Sequence, residues 1–302
     1  MRKFLLGIVA GAIAMAAASP AAAAALPVIY NGALGYAHAN PTASPPGANN
    51  WSCKPTAAHP RPVILVHGTF ADMSDSWQAL SPLLYDKGYC VFALNYGSYA
   101  GLGSAGVDAT GPIETSAAQL KTFVNRVLHA TRARQVDIVG HSQGGMMPRY
   151  YMKFDGGGAK VHTLIGLAPS NHGTTLNGLF TLAGYFPGAN AALSDCPACV
   201  EQETGSPFLT KLNSGGDTLS GVHYTVIESQ NDEVVTPYQS AFLSGPSSQV
   251  TNIDLQKQCS LDQGEHLSMP YDHIADADVL TALDPAHPVK PACTPVAPVV
   301  GG

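Results

Sequence analysis

The sequence predicts an α/β fold, a mostly parallel central sheet with helices on both faces. Three observations carry this expectation. Short apolar runs rich in branched residues recur along the chain, helix-length stretches lie between them, and 302 residues with 45% apolar content suit one globular domain. The charged fraction is only 12%, with 31 Gly and 23 Pro, which describes a loop-rich surface of small residues.

The chain opens with Arg2 and Lys3, an apolar run from Phe4 to Ala18, then Ser19-Pro20 and an alanine tract. That is the layout of an export leader. The run is shorter than the roughly 20 apolar residues a membrane span needs, so no stable anchor is expected. Residues 1–25 are expected to be removed, leaving 26–302 as one domain, secreted and monomeric. The 15 Lys+Arg against 21 Asp+Glu give a charge of -6 without any basic run, and this excludes a phosphate-tracking nucleic-acid surface.

Residues 26–61 hold Pro27, Pro41, Pro45, Pro46, Pro55 and Pro60 and should form an extended strap. From Val63 the pattern changes. Val63–Val66, Val91–Leu94, Val136–Val139, Val161–Ile165, His223–Ile227 and Val250–Ile253 read as strands, the apolar ones buried on both faces. Between the second and third of these, Ile113, Ala117, Leu120, Val124, Val127 and Leu128 make one apolar helical stripe. It runs from Pro112 to Arg132 and Arg134, cations suited to a helix C-terminus. A helix is also expected over Asp276–Leu283. Leu176 to Ala192 is apolar and uncharged, which reads as an apolar cap inserted between strands, with a helix buried in the core under its neighbours as the alternative.

In an exported protein an even set of cysteines reads as disulfides. Cys196-Pro-Ala-Cys199 suits a local loop, and pairing the remaining neighbours joins Cys53 to Cys90 and Cys259 to Cys293. A zinc site is the rival for the C-x-x-C, but no second such pair or nearby histidine completes four ligands, so no metal is expected.

The chemistry concentrates after the third strand, where Gly140-His141-Ser142-Gln143-Gly144 is G-x-S-x-G between a strand and a predicted helix from Met146 to Phe154. Such a turn exposes a serine hydroxyl at a helix N-terminus. Pro148 would remove one bond from that helix. A serine needs a base and the base needs an acid. The loop after His223–Ile227 offers Asp232 and Glu233, the latter equally suited to a solvated loop position. His266 sits in a polar loop before the last helix; His273 suits a capping or supporting role and His287 an exposed turn. His141 is expected to pack against the elbow, and His67 to tie down its loop. Oxyanion donors are expected from the Gln143 amide and from Thr69 or its neighbour Phe70. Thr69, two residues after His67, is the better placed, and its hydroxyl could donate as well.

Val63 to Phe70, Gly140 to Gly145, Asn231 to Tyr238, and Glu265 to Leu267 with Ala282 to Pro285 together resemble the secreted class 2 lipases of the α/β-hydrolase superfamily, particularly the actinobacterial type. The resemblance spans about Pro62 to Pro285 and includes Cys196 and Cys199. It implies an α/β-hydrolase fold, Asp232 rather than Glu233 as the acid, no cofactor, and hydrolysis of ester or lipid substrates at a lipid–water interface. It also implies that the variable insertion lines an acyl pocket, so Phe70, Leu176, Leu179 and Phe180 are expected to contact substrate. A polyester or cutin hydrolase and an acyltransferase would use the same residues, and a non-catalytic protein on this scaffold is the remaining alternative.

Overall fold

A computed structural model describes residues 24–30, 40, 42–99, 101–186 and 188–302. Most of the expected leader lies outside the described residues. The six apolar runs form six strands: β1 (Val63–Val66), β2 (Val91–Leu94), β3 (Val136–His141), β4 (Val161–Leu167), β5 (His223–Glu228) and β6 (Val250–Asp254). They make one parallel sheet in the order β2-β1-β3-β4-β5-β6. A parallel strand needs a crossover to its neighbour, and here helices supply most of them.

The longer helices are α1 (Leu80–Asp86), α2 (Ile113–Thr131), α3 (Gln143–Phe154), α4 (Leu176–Tyr185), α5 (Pro197–Glu201), α6 (Pro207–Asn213) and α7 (His273–Leu283). Alternation within each strand sorts the core into two layers. Ile64, Val66, Phe92, Ile138, Leu164 and Val226 pack with α2 and α3, while Val63, Leu65, Val139, Ile165 and Ile227 pack with α1 and α7. Both sheet faces are therefore dry, which is why β1 and β2 read as unbroken apolar runs.

Helix boundaries depart from the sequence expectation where capping decides them. Arg132 is not in the last turn of α2 but is its C-cap, at φ 62°, and His129 is the basic residue inside. The α7 helix starts at His273, three residues early, because the Asp272 carboxylate accepts the Ile274 and Ala275 amides at 2.8 and 3.3 Å. The α3 helix likewise starts at Gln143 rather than Met146, with Pro148 inside it. The predicted cap is α4 followed by a one-turn helix, Ala189–Ala192, between β4 and β5. Its Leu179, Leu182, Ala183, Phe186 and Ala189 join the α2–α3 core layer.

Three disulfides join Cys53 to Cys90, Cys196 to Cys199 and Cys259 to Cys293. The first staples the strap to the start of β2. The last holds the tail beside the loop carrying His266, where Gln263 N donates to Val296 O at 3.1 Å and Val299 N to Glu265 Oε1 at 2.7 Å.

Cys259 and Cys293 are 34 residues apart and Cys196 and Cys199 only 3. Chain-entropy arguments make the larger loop worth about 2 kcal/mol more. Paired Cys→Ser variants compared by denaturant unfolding should show that order, the Cys259/Cys293 pair losing more.

Candidate active site

β3 ends where α3 begins, and the crossing is tight. A Cβ on Gly140 would run into the Gly144 carbonyl oxygen, and one on Gly144 into the carbonyl oxygens of Val66 and His67 at the end of β1. Ser142 between them is held at φ 55°, ψ −124°, a conformation that costs of order 1–3 kcal/mol outside glycine. The surrounding backbone over-determines it: Ser142 N donates to Leu167 O and Gly145 N to Ser142 O, both at 2.9 Å.

Asp232 and His266 meet beside this elbow. His266 Nδ1 lies 2.8 Å from Asp232 Oδ2, and both side chains are fully buried. The other Asp232 oxygen accepts the Val234 and Val235 amides, each at 2.7 Å, which fixes the carboxylate. With Nδ1–H donated to Asp232, the neutral imidazole presents Nε2 as an acceptor, and among the described residues Nε2 has no hydrogen-bond partner. His141 holds His266 against the elbow, its Nε2–H donating to the His266 carbonyl at 2.9 Å with ring centroids 4.8 Å apart. Burial pulls the His266 pKa down, but the charge and hydrogen bond of Asp232, with Glu233 and Glu265 adding, leave it above 6.5. His141 is pushed well below that value by burial and by His266, so it stays neutral. His273 instead ties down the C-terminal tail, through Gly302 O at 2.6 Å and Ala292 O at 3.0 Å. His287 pairs with Asp284 in an exposed turn.

The loop after β1 lies across the elbow. His67 stacks on Tyr96 at 4.5 Å, the Tyr96 hydroxyl donates to His67 O at 2.7 Å, and burial lowers the His67 pKa to about 4. Among the described residues, the backbone amides of Thr69 and Gln143 donate to nothing. The Thr69 hydroxyl accepts from Gln143 Nε2 and Gln202 Nε2, both at 2.9 Å. Those amides are oriented by carbonyls that only N–H can satisfy, Ala109 O at 2.9 Å and Ala198 O at 3.1 Å. Both lone pairs of Thr69 Oγ1 are thereby occupied, so its own proton is free only to donate outward. Gln202 carried no motif in the sequence. It reaches the loop because the Cys196–Cys199 disulfide and α5 place it there, and Ser170 Oγ donates to its Oε1 at 2.8 Å.

Three further acids surround His266 and Asp232. Glu228, at the end of β5, is wholly buried and accepts the Ser229 amide at 2.8 Å; burial and the Asp232 charge push its pKa well up. Glu233 is not the solvated loop charge that the sequence suggested. It is half-buried, takes the Tyr185 hydroxyl of α4 at 3.1 Å, and is raised to about 7 by burial and by the charge of Glu265. Glu265 accepts the amides of Leu267, Ser268 and Val299. The polar spelling of both loops concealed that they fold onto each other.

The predicted substrate contacts separate. The Phe70 side chain is wholly buried in the core beneath the loop, at φ 66°. Leu179 also faces inward, whereas Phe180 is 57% exposed, as successive residues of an amphipathic helix must be. The Leu176 side chain lies outside the described residues. Beside His141, a cavity of about 10 Å³ is bounded by Ala71, Phe186, Leu267 and Tyr271, room for about one water at most. A roomier cavity of about 260 Å³ lies at the other end of the strands, lined by His162, His223, Thr225, Thr251 and Asp278, and contains none of these groups.

A profile of the class 2 lipase family matches residues 60–275. Over 99 residues, 31% of the chain, it is 36% identical to triacylglycerol lipases of Pseudarthrobacter phenanthrenivorans and Burkholderia plantarii. The chain spans only 28% and 25% of the length of those two relatives. Among solved structures, an Aspergillus fumigatus lipase B superposes with a TM-score of 0.61 at 22% identity, over 86% of this chain and 61% of that one. A mature Bacillus licheniformis lipase gives 0.54 at 14% identity, over 76% and 94%. These likenesses show the α/β-hydrolase fold.

Buried acids give a linked pH prediction. Asp272, Glu233 and Asp108 are raised mainly by burial, to about 8, 7 and 7. Unfolded, such groups lose their protons near pH 4, so the native state holds more protons between there and pH 7–8. The stability they contribute is complete at low pH and is lost as pH rises through 7–8. Thermal unfolding followed from pH 6 to pH 9 should show a falling midpoint.

Proposed function

The chain belongs to the class 2 lipase family, and we propose that it is an exported serine carboxylester hydrolase that cleaves acylglycerols through Ser142, Asp232 and His266. The observation that carries this reading is the buried 2.8 Å pair of His266 and Asp232 beside a serine held at positive φ on a strand-to-helix elbow.

In the proposed cycle His266 Nε2 takes the Ser142 proton as Oγ attacks the ester carbonyl, and Asp232 stabilises the resulting imidazolium. The developing oxyanion meets the Thr69 and Gln143 amides and the outward proton of the Thr69 hydroxyl, donors already aligned before charge appears. Collapse of the tetrahedral intermediate expels the alcohol, which takes its proton from His266. Water, deprotonated by the same histidine, then releases the acid. No step calls for a cofactor. The exposed Phe180 on α4 supports an apolar contact with a lipid surface. Three disulfides support an oxidising destination outside the cell.

Ser142→Ala should reduce hydrolysis of a short soluble ester by about 10⁴–10⁶-fold with an unchanged unfolding curve; retention of a tenth of the activity would overturn the assignment. The acid limb of the pH–rate profile should have its midpoint above 6.5, because only neutral His266 accepts the serine proton. Thr69→Val should lower kcat by about 10²-fold or more with little change in KM. Rates on emulsified triacylglycerols of graded chain length, beside a polyester film and with added alcohol, separate lipase from polyester hydrolase and acyltransferase.

A further inference from the structure

We infer that leader removal cuts the chain between Ala25 and Leu26, and that the new Leu26 α-ammonium seats on the Asp86 carboxylate at the end of α1. This rests on the export reading above. The alanine tract from Ala21 to Ala25 leaves the position open, because small residues stand one and three places before the bond for cuts after Ala23, Ala24 or Ala25 alike. The fold separates these options.

Leu26 N lies 3.1 and 3.0 Å from the two oxygens of Asp86. In the uncut chain that nitrogen is an amide with one hydrogen, divided between two acceptors. After cleavage it carries three hydrogens and a positive charge, and each oxygen gains a donor of its own. A terminus at Ala24 would put the ammonium about 7 Å farther along an extended chain and leave the amide in place.

Asp86 also stands where a cation is wanted. It closes α1, whose last turn holds no basic residue although Lys87 follows as the C-cap, and an acid beside the partly negative C-terminal carbonyls is unfavourable. Among the described residues it makes no ion pair. An ammonium answers both deficits. Leu26 itself is half-buried, its side chain beside Gly47, whereas Ala24 and Ala25 are exposed. Pro27 keeps Leu26 extended, so the seat faces a fixed direction.

The cut is a hydrolysis. A leader peptidase adds water across the Ala25–Leu26 amide; Ala25 departs with the leader as a carboxylate, and Leu26 leaves as an amine that takes up a proton. The ion pair then fastens the strap to α1, independently of the Cys53–Cys90 disulfide.

The test exports the full chain and reads the recovered protein by intact mass and N-terminal sequencing, with Leu26 as the expected first residue. A start at Ala24, at Ala25 or beyond Leu26 overturns the inference while leaving export standing; a chain that keeps Met1 overturns the export reading and this inference together. A free α-amine has a pKa of about 7.7–8.0, and a carboxylate partner raises it, so labelling by an amine-reactive ester at pH 7 should be roughly fivefold slower than in Asp86→Asn. Asp86→Glu should restore slow labelling, and all three proteins should label alike in denaturant. Equal rates in the folded proteins overturn the seat. Should Asp86→Asn fail to fold, the folded wild type is compared with its own denatured state: slower labelling when folded supports the seat, and equal labelling overturns it.

Discussion

The crossing of β3 into α3 above the end of β1 is the constraint on which the rest depends. Backbone meets backbone there without room for a side chain at Gly140 or Gly144, and the strain this places on Ser142 is held by β4 through Leu167. Parallel pairing of β1, β3 and β4 brings the first loop, the elbow and the start of α3 to one edge. The two unpartnered amides and the Thr69 hydroxyl are consequences of that pairing.

The surroundings of His266 are unusually rich in carboxyl groups for a dry interior. Asp232 is held by two amides and an imidazole and Glu265 by three amides, as ionised groups need. Glu228 and Glu233 answer the same burial with pKa values pushed upward, Glu233 to about 7, because neighbouring like charges resist ionising together in a low dielectric. A protonated neighbour donates where an ionised one would repel, so these acids can sit against Asp232 and Glu265. The consequence is an opposition across neutral pH. Rising pH leaves His266 neutral, the form the proposed base needs, while drawing protons from the buried acids.

The cap joins this network physically. Tyr185 of α4 ends on Glu233, Glu233 meets Glu265, and Glu265 receives the tail at Val299. The Cys259–Cys293 disulfide limits how far that tail can move. The loops carrying Asp232 and His266, the cap and the tail thus share one set of side chains.

Much of this was legible in the sequence because it is encoded locally. Apolar runs set the six strands, since a strand buried on both faces has no polar positions to spare, and glycine spacing set the elbow, since only glycine tolerates that approach. Neighbouring cysteines gave the disulfides. What escaped was decided by partners distant in the chain. Gln202 lies 133 residues from the Thr69 hydroxyl it orients, Glu233 looks like a surface acid until Tyr185 of α4 and Glu265 come against it, and Phe70 lies in the core beneath its loop. The sequence by itself determined which backbones could pack and where the sharp turn must fall, because periodicity and glycine act over a few residues. Only the tertiary structure decided which polar groups keep their charge, hold a proton or are forced to donate, because desolvation and hydrogen-bond saturation depend on what arrives from elsewhere in the fold.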